Sequence, residues 1–159
     1  MKKWLTAVIS LFLGVAAGGM AANKIFRLKE TKKDGKIDKF KGYYQLLNQW
    51  LILKQEGKLL DKYFVDNGYK TVAIYGMGEM GNRLYDELKN SEEVQVKYAV
   101  DQNKASIYSE LELLAMEDEM PEADVIVVTA TFAFYEIEKE LSEKVAFPIV
   151  SLEDIVLEA

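Results

Sequence analysis

The sequence contains no cysteine and no histidine. The lack of thiols excludes disulfides, thiolate metal sites and cysteine nucleophiles. The lack of imidazole removes the Ser-His-Asp triad and histidine-bound zinc. The D-x-D-x-D-G pattern of a calcium loop is missing too, although Glu117, Asp118, Glu119, Glu122 and Asp124 crowd around Met120-Pro121. That stretch reads as a solvated loop, and no metal is expected. No acid–base constellation can be assembled from the remaining residues, so no catalytic residue is assigned.

What is present suits one domain of ordinary size with an appendage: 159 residues, half of them hydrophobic. Charge is unevenly spread. Residues 1–41 carry 10 Lys and Arg against 3 Asp and Glu, whereas residues 42–159 carry 10 against 23. A basic arm on an acidic domain points to an anionic membrane surface or a nucleic acid as the arm's neighbour.

The most informative stretch is Val72-Ala73-Ile74-Tyr75-Gly76-Met77-Gly78-Glu79-Met80-Gly81. An apolar run rich in β-formers ends in G-x-G-x-x-G, and a helical pattern (Leu84, Tyr85, Leu88) follows at once. This is the strand, glycine turn and helix of a dinucleotide-binding βαβ unit. Gly76 lets the chain turn off the strand, Gly78 lets backbone approach a pyrophosphate, and Gly81 lets the helix pack close to the sheet. The helix N-terminus offers N–H groups and a positive dipole end to an anion. A second strand, Val94–Val100, ends in Asp101, 20 residues beyond Gly81, where a carboxylate accepts the ribose hydroxyls of NAD.

The expected fold is therefore α/β, a Rossmann-like three-layer domain with a parallel sheet of four or five strands over residues 67–159. Val125–Val128 is a continuous apolar run, as in a central parallel strand covered on both faces. It leads into Thr129-Ala130-Thr131, whose hydroxyls are candidates to line a site at the strand's C-terminal end. Ser109 with Glu112 has the capping-box pattern and predicts a helix over Leu111–Met116. Phe134–Leu141 is the next helix and Phe147–Val150 the last strand. The predicted cofactor-binding residues are Gly76, Met77, Gly78, Gly81, Asp101 and Thr129. NAD is expected rather than NADP, because a 2′-phosphate would meet the Asp101 carboxylate, and Lys104 is the only cation nearby. Glu79 lies inside the loop, where it either opposes a pyrophosphate or pairs harmlessly with Arg83 at i, i+4. Tyr135 and Lys139 have the Y-x-x-x-K spacing of short-chain dehydrogenases, but too early in the order of elements and without an upstream serine.

Ahead of this domain, Trp4–Ala22 is almost wholly apolar or small. Its 19 residues as a helix span about 28 Å, close to the hydrocarbon thickness of a bilayer. Residues 1–23 read as an uncleaved membrane anchor. The rival reading is a signal peptide cleaved near Gly19-Met20-Ala21. Lys24, Arg27, Lys29, Lys32, Lys33, Lys36, Lys39 and Lys41 follow the span and outnumber the charges before it. That bias places the domain in the cytoplasm, on a single-pass inner-membrane protein. Residues 24–41 then form a basic juxtamembrane linker held against anionic lipid rather than nucleic acid. Residues 42–66 form an amphipathic helical segment, broken near Gly57, whose apolar face either packs on the domain or meets a partner protein or second copy.

Residues Gln49–Lys58, Tyr63-Phe64 and Gly68–Gly78 together resemble a Rossmann-like domain of bacterial cell-surface (capsular) polysaccharide biosynthesis proteins, over residues 45–157. The resemblance implies a capsule or cell-wall polymer setting and neighbouring polysaccharide-biosynthesis enzymes, and it brings no catalytic residues. Three functions follow as expectations: a membrane-anchored nucleotide-binding or scaffold module, an NAD-dependent nucleotide-sugar oxidoreductase working with a partner chain, or a structural domain without ligand. Length favours the first, since only about 90 residues remain for the nucleotide fold and none for a substrate domain.

Overall fold

The computed structural model describes residues 35–106 and 109–159. The chain divides into two compact units, Met1–Tyr43 and Tyr44–Ala159. In the first, the described residues 35–43 are helical, including positions expected as linker. Among the described residues no helix is long and apolar enough to cross a membrane. The expected anchor, Trp4–Ala22, lies outside the described residues.

The second unit is α/β, with a five-stranded, wholly parallel sheet. Its elements in chain order are α1 (helical residues 44–55), α2 (Asp61–Asp66), β1 (Thr71–Tyr75), α3 (Glu79–Leu88), β2 (Gln95–Val100), β3 (Leu113–Leu114), β4 (Val125–Val128), α4 (Phe134–Leu141), β5 (Ile149–Ser151) and α5 (Leu152–Glu158). The strand order is β3-β2-β1-β4-β5. β1 and β4 are neighbours in space although α3, β2 and β3 separate them in sequence, so the chain reverses its direction of travel across the sheet between them.

The apolar runs explain the layering. Val72, Ala73, Ile74 and all four residues of β4 are fully buried, which requires cover on both faces of the sheet. One face carries Ala73, Tyr75, Tyr98, Val100, Ile126 and Val128, packed with Ile137 and Leu141 of α4. Over β2 and β3 that face is closed by Met116, Met120 and Ala123 of the β3–β4 connection rather than by a helix. The Tyr98 hydroxyl anchors this connection by donating to the Pro121 carbonyl at 2.7 Å. Burial pushes its pKa up to about 12.

One expectation fails here. The helix predicted over Leu111–Met116 is instead the edge strand β3, paired with β2 through Ala99↔Leu113 and Val100↔Leu114. Ser109 Oγ accepts from Leu111 N at 3.0 Å, a local turn and not the start of a helix. The sheet decides the matter. The outer edge of β2 offers Ala99 N and Asp101 N, which find Glu112 O at 2.9 Å and Leu114 O at 3.0 Å. A six-residue helix has too little internal cooperativity to compete with that ladder.

α1 carries its buried side chains Leu46, Trp50 and Leu53 at the i, i+4, i+7 spacing of one helical face. Gly57 at φ +74 lies in the break before α2. A buried carboxylate joins this segment to α3. Glu87, whose side chain is 3% exposed, accepts from Trp50 Nε1 at 2.7 Å and Leu60 N at 2.9 Å and pairs with Lys54 Nζ at 3.0 Å. An unpartnered carboxylate at this depth would cost several kcal/mol, so the three donors fix how α1 and the start of α2 meet α3.

Candidate functional site

The glycine turn leaves the C-terminal end of β1 and opens α3. Its three glycines differ in why they are there. Gly76 adopts φ +92, and a Cβ on it would lie 2.9 Å from Thr129 Oγ1. Gly81 faces the turn from within α3, and its Cβ would fall 2.1 Å from the Gly76 carbonyl oxygen. Both are demanded by packing of the chain on itself. Gly78 is not: its φ of −76° and ψ of −160° suit any residue, and no atom lies within 4 Å of where its Cβ would be.

Hydrogen bonds set the turn in place. Gly76 N donates to Val100 O at 2.8 Å, and Met77 N donates to Asp101 Oδ2 at 2.7 Å. Asn82 Nδ2 donates to the carbonyls of Met77 (3.1 Å) and Gly78 (3.0 Å). Thr129 Oγ1 lies 2.6 Å from Gly76 O and 3.1 Å from Tyr75 O. The next N–H groups, those of Gly78, Glu79, Met80 and Gly81, meet no acceptor among the described residues. They are the orphan donors of a helix start, pointed where the macrodipole is positive.

All six predicted site residues converge on this turn, though in different capacities. The Met77 side chain is buried and its N–H is already taken. Thr129 is also buried, and its hydroxyl is directed at backbone carbonyls, so it latches β4 to the turn. Asp101 is 9% exposed. Each of its oxygens accepts one N–H at 2.7 Å, from Met77 and from Asn103, leaving a second lone pair on each. Glu79 does not cap α3: its side chain is 84% exposed and lies 3.8 Å from Arg83.

The surroundings of the turn are acidic. Burial raises the Tyr75 hydroxyl pKa, a hydrogen bond from Gln102 opposes this, and the charges of Glu140, Asp101 and Glu117 raise it further. Lys104 is held by Asp118 at 2.6 Å, so it is not a free cation waiting for a phosphate. Among the described residues no group of carboxylates is placed to hold a metal ion.

Sequence reasoning missed two carboxylates with structural duties. Glu87 looks like an ordinary surface position on the helical pattern, and only the indole donor of Trp50 hinted at a buried acceptor. Asp124, read as part of the solvated acidic loop, accepts from Lys70 N at 2.8 Å and Thr71 N at 2.7 Å and so ties down the start of β1.

No protein-family model matches the chain, and no curated protein matches it either.

Proposed function

We propose that this chain is a Rossmann-like nucleotide-binding module, anchored in the inner membrane by residues 1–23 with its domain in the cytoplasm, and accessory to cell-surface polysaccharide biosynthesis. The observation that carries the binding is Gly78. It is the one glycine of the turn that folding does not require, and it stands beside four unmet N–H groups at a helix start. A ligand whose phosphates approach the backbone there accounts for the missing side chain. The strand order supports the same reading, since open α/β sheets bind ligands where the order reverses, here between β1 and β4.

The residues present suit NAD. Its pyrophosphate lies over Gly76–Gly81, and the free lone pairs of Asp101 accept ribose hydroxyls. A 2′-phosphate would meet the Asp101 carboxylate with Lys104 already committed to Asp118, so NADP is disfavoured. The polysaccharide setting rests on the resemblance of residues 45–157, and the anchor on the uncharged run and its basic C-terminal flank.

Calorimetry on the full chain in detergent with NAD, NADP, a UDP-sugar and coenzyme A tests the reading. Saturable NAD binding is expected, with NADP weaker. Gly78→Val should weaken NAD at least about tenfold, a loss of some 1.4 kcal/mol. Its stability should fall by only about 1 kcal/mol, the cost of a poorer helix cap. Absence of binding by all four to folded protein would overturn the proposal.

A further inference from the structure

α1 presents a second apolar stripe besides the one it buries. Tyr44, Leu47 and Leu51 are 71%, 40% and 54% exposed. At 100° per residue, their i, i+3, i+7 spacing places them on one ridge, about 120° round the helix from Leu46, Trp50 and Leu53. A groove lies on either side. One, of about 300 Å³, runs between α1 and α3 and is lined by Leu47, Trp50, Leu51, Lys54, Arg83 and Asp86. The other, also about 300 Å³, runs between α1 and α5, bounded by Tyr44, Leu46, Gln49, Val156 and Leu157 and by the carboxylate-bearing Glu153. A ridge flanked by grooves is the relief that helix packing uses.

Electrostatics narrows the occupant. Every charge around the α3 groove is matched within the same chain: Lys54 with Glu87 at 3.0 Å, Arg83 with Glu79 at 3.8 Å, and Asp86 with Lys89 at 2.7 Å. This neutral rim gives no purchase to an anionic lipid headgroup, a basic peptide or an acidic one. On a domain with 10 Lys and Arg against 23 Asp and Glu, it is also where two copies can meet without like-charge repulsion. The partner must therefore bring an apolar helical ridge with no net charge demand. The chain itself carries that ridge next to the groove, which is the self-complementarity a twofold interface requires.

We infer that α1 and the groove between α1 and α3 form a homodimer interface, the Tyr44–Leu47–Leu51 ridge of each copy seated in that groove of the other. This holds whether or not the glycine turn binds a nucleotide.

The cysteine-free sequence makes the test direct. Single Leu47→Cys, Leu51→Cys and, as a control on another exposed surface, Tyr135→Cys chains are oxidised in native membranes. The two ridge variants should give a product of twice 18.1 kDa, and the control none. In detergent, light scattering should read two copies for the parent chain and one for Leu51→Asp and for Tyr44→Asp. All four altered side chains are exposed, and circular dichroism verifies that each variant is folded. A parent chain of single mass without cross-link overturns the inference. So does a double mass that survives both aspartates, or a cross-link from Leu51→Cys to a product of some other mass.

Discussion

At the scale of single residues, the glycine turn separates the two glycines that folding demands from the one that it does not. Replacing a helical glycine by alanine ordinarily gains about 1 kcal/mol of helix propensity. At Gly81 that gain meets a Cβ placed 2.1 Å from the Gly76 carbonyl oxygen, backbone that cannot swing aside as a side chain would. Forced overpacking of this kind costs about 1–3 kcal/mol, so the clash outweighs the propensity. Gly81→Ala is expected to melt below the parent chain, and Gly78→Ala to melt within a few degrees of it. A Gly81→Ala protein as stable as its parent in thermal denaturation would show that the turn relaxes freely, and the distinction between the glycines would collapse.

Elements are positioned here by carboxylates that accept backbone N–H groups. Glu87 does this for the start of α2 while holding α1 through the Trp50 indole N–H and Lys54. Asp101 does it for the glycine turn and Asp124 for the entry to β1. The N–H groups of Thr71 and then Lys70 hold the Asp124 carboxyl below the usual carboxylate range. Its unfolded-state value is about 3.9. With the folded value the lower of the two, the stabilisation is complete above about pH 4 and is lost as pH falls through the folded value. Thermal melts from pH 7 to pH 2.5 should therefore show a steeper acid decline in the parent than in Asp124→Asn, which has no charge to lose. Parallel declines in the two proteins would assign the acid sensitivity to other groups, among them Asp118, which Lys104 and Ala115 N also hold low.

For the whole molecule, the lopsided charge is the feature that function must accommodate. The basic residues from Lys24 to Lys41 adjoin an uncharged run, and an acidic α/β domain follows. Under the proposed anchoring, the positive-inside bias would send that domain to the cytoplasm, where nucleotides are abundant. A reporter fused after Ala159 should be active on the cytoplasmic side, and protease added outside intact cells should leave the domain untouched. A soluble exported chain beginning at Ala22 would instead establish a cleaved signal peptide. The proposed anchor would also bring two copies into one plane with their domains on one side, raising the effective concentration for the inferred α1 interface.

How far the sequence reached depended on the range of the forces involved. Val72–Tyr75, Val125–Val128 and the G-x-G-x-x-G turn were legible because burial on both faces and a tight backbone turn restrict residue type locally. Asp101 was legible because its distance from the turn follows from the lengths of α3 and β2. β3 was not. Its leucines fit a helix equally well, and only the open edge of β2, brought alongside by the sheet, settled their conformation. The same holds for Thr129, whose hydroxyl looked available for a ligand until the adjacency of β4 and β1 aimed it at the Gly76 carbonyl. Glu87 and Asp124 were illegible for a related reason, since a carboxylate's duty depends on which N–H groups the fold brings to it. Sequence by itself determined the strand–turn–helix unit and the lopsided charge. Tertiary structure alone decided which polar groups are spent inside the fold and which N–H groups are left without an acceptor among the described residues, because hydrogen-bond partners distant in sequence exist only once the sheet is assembled.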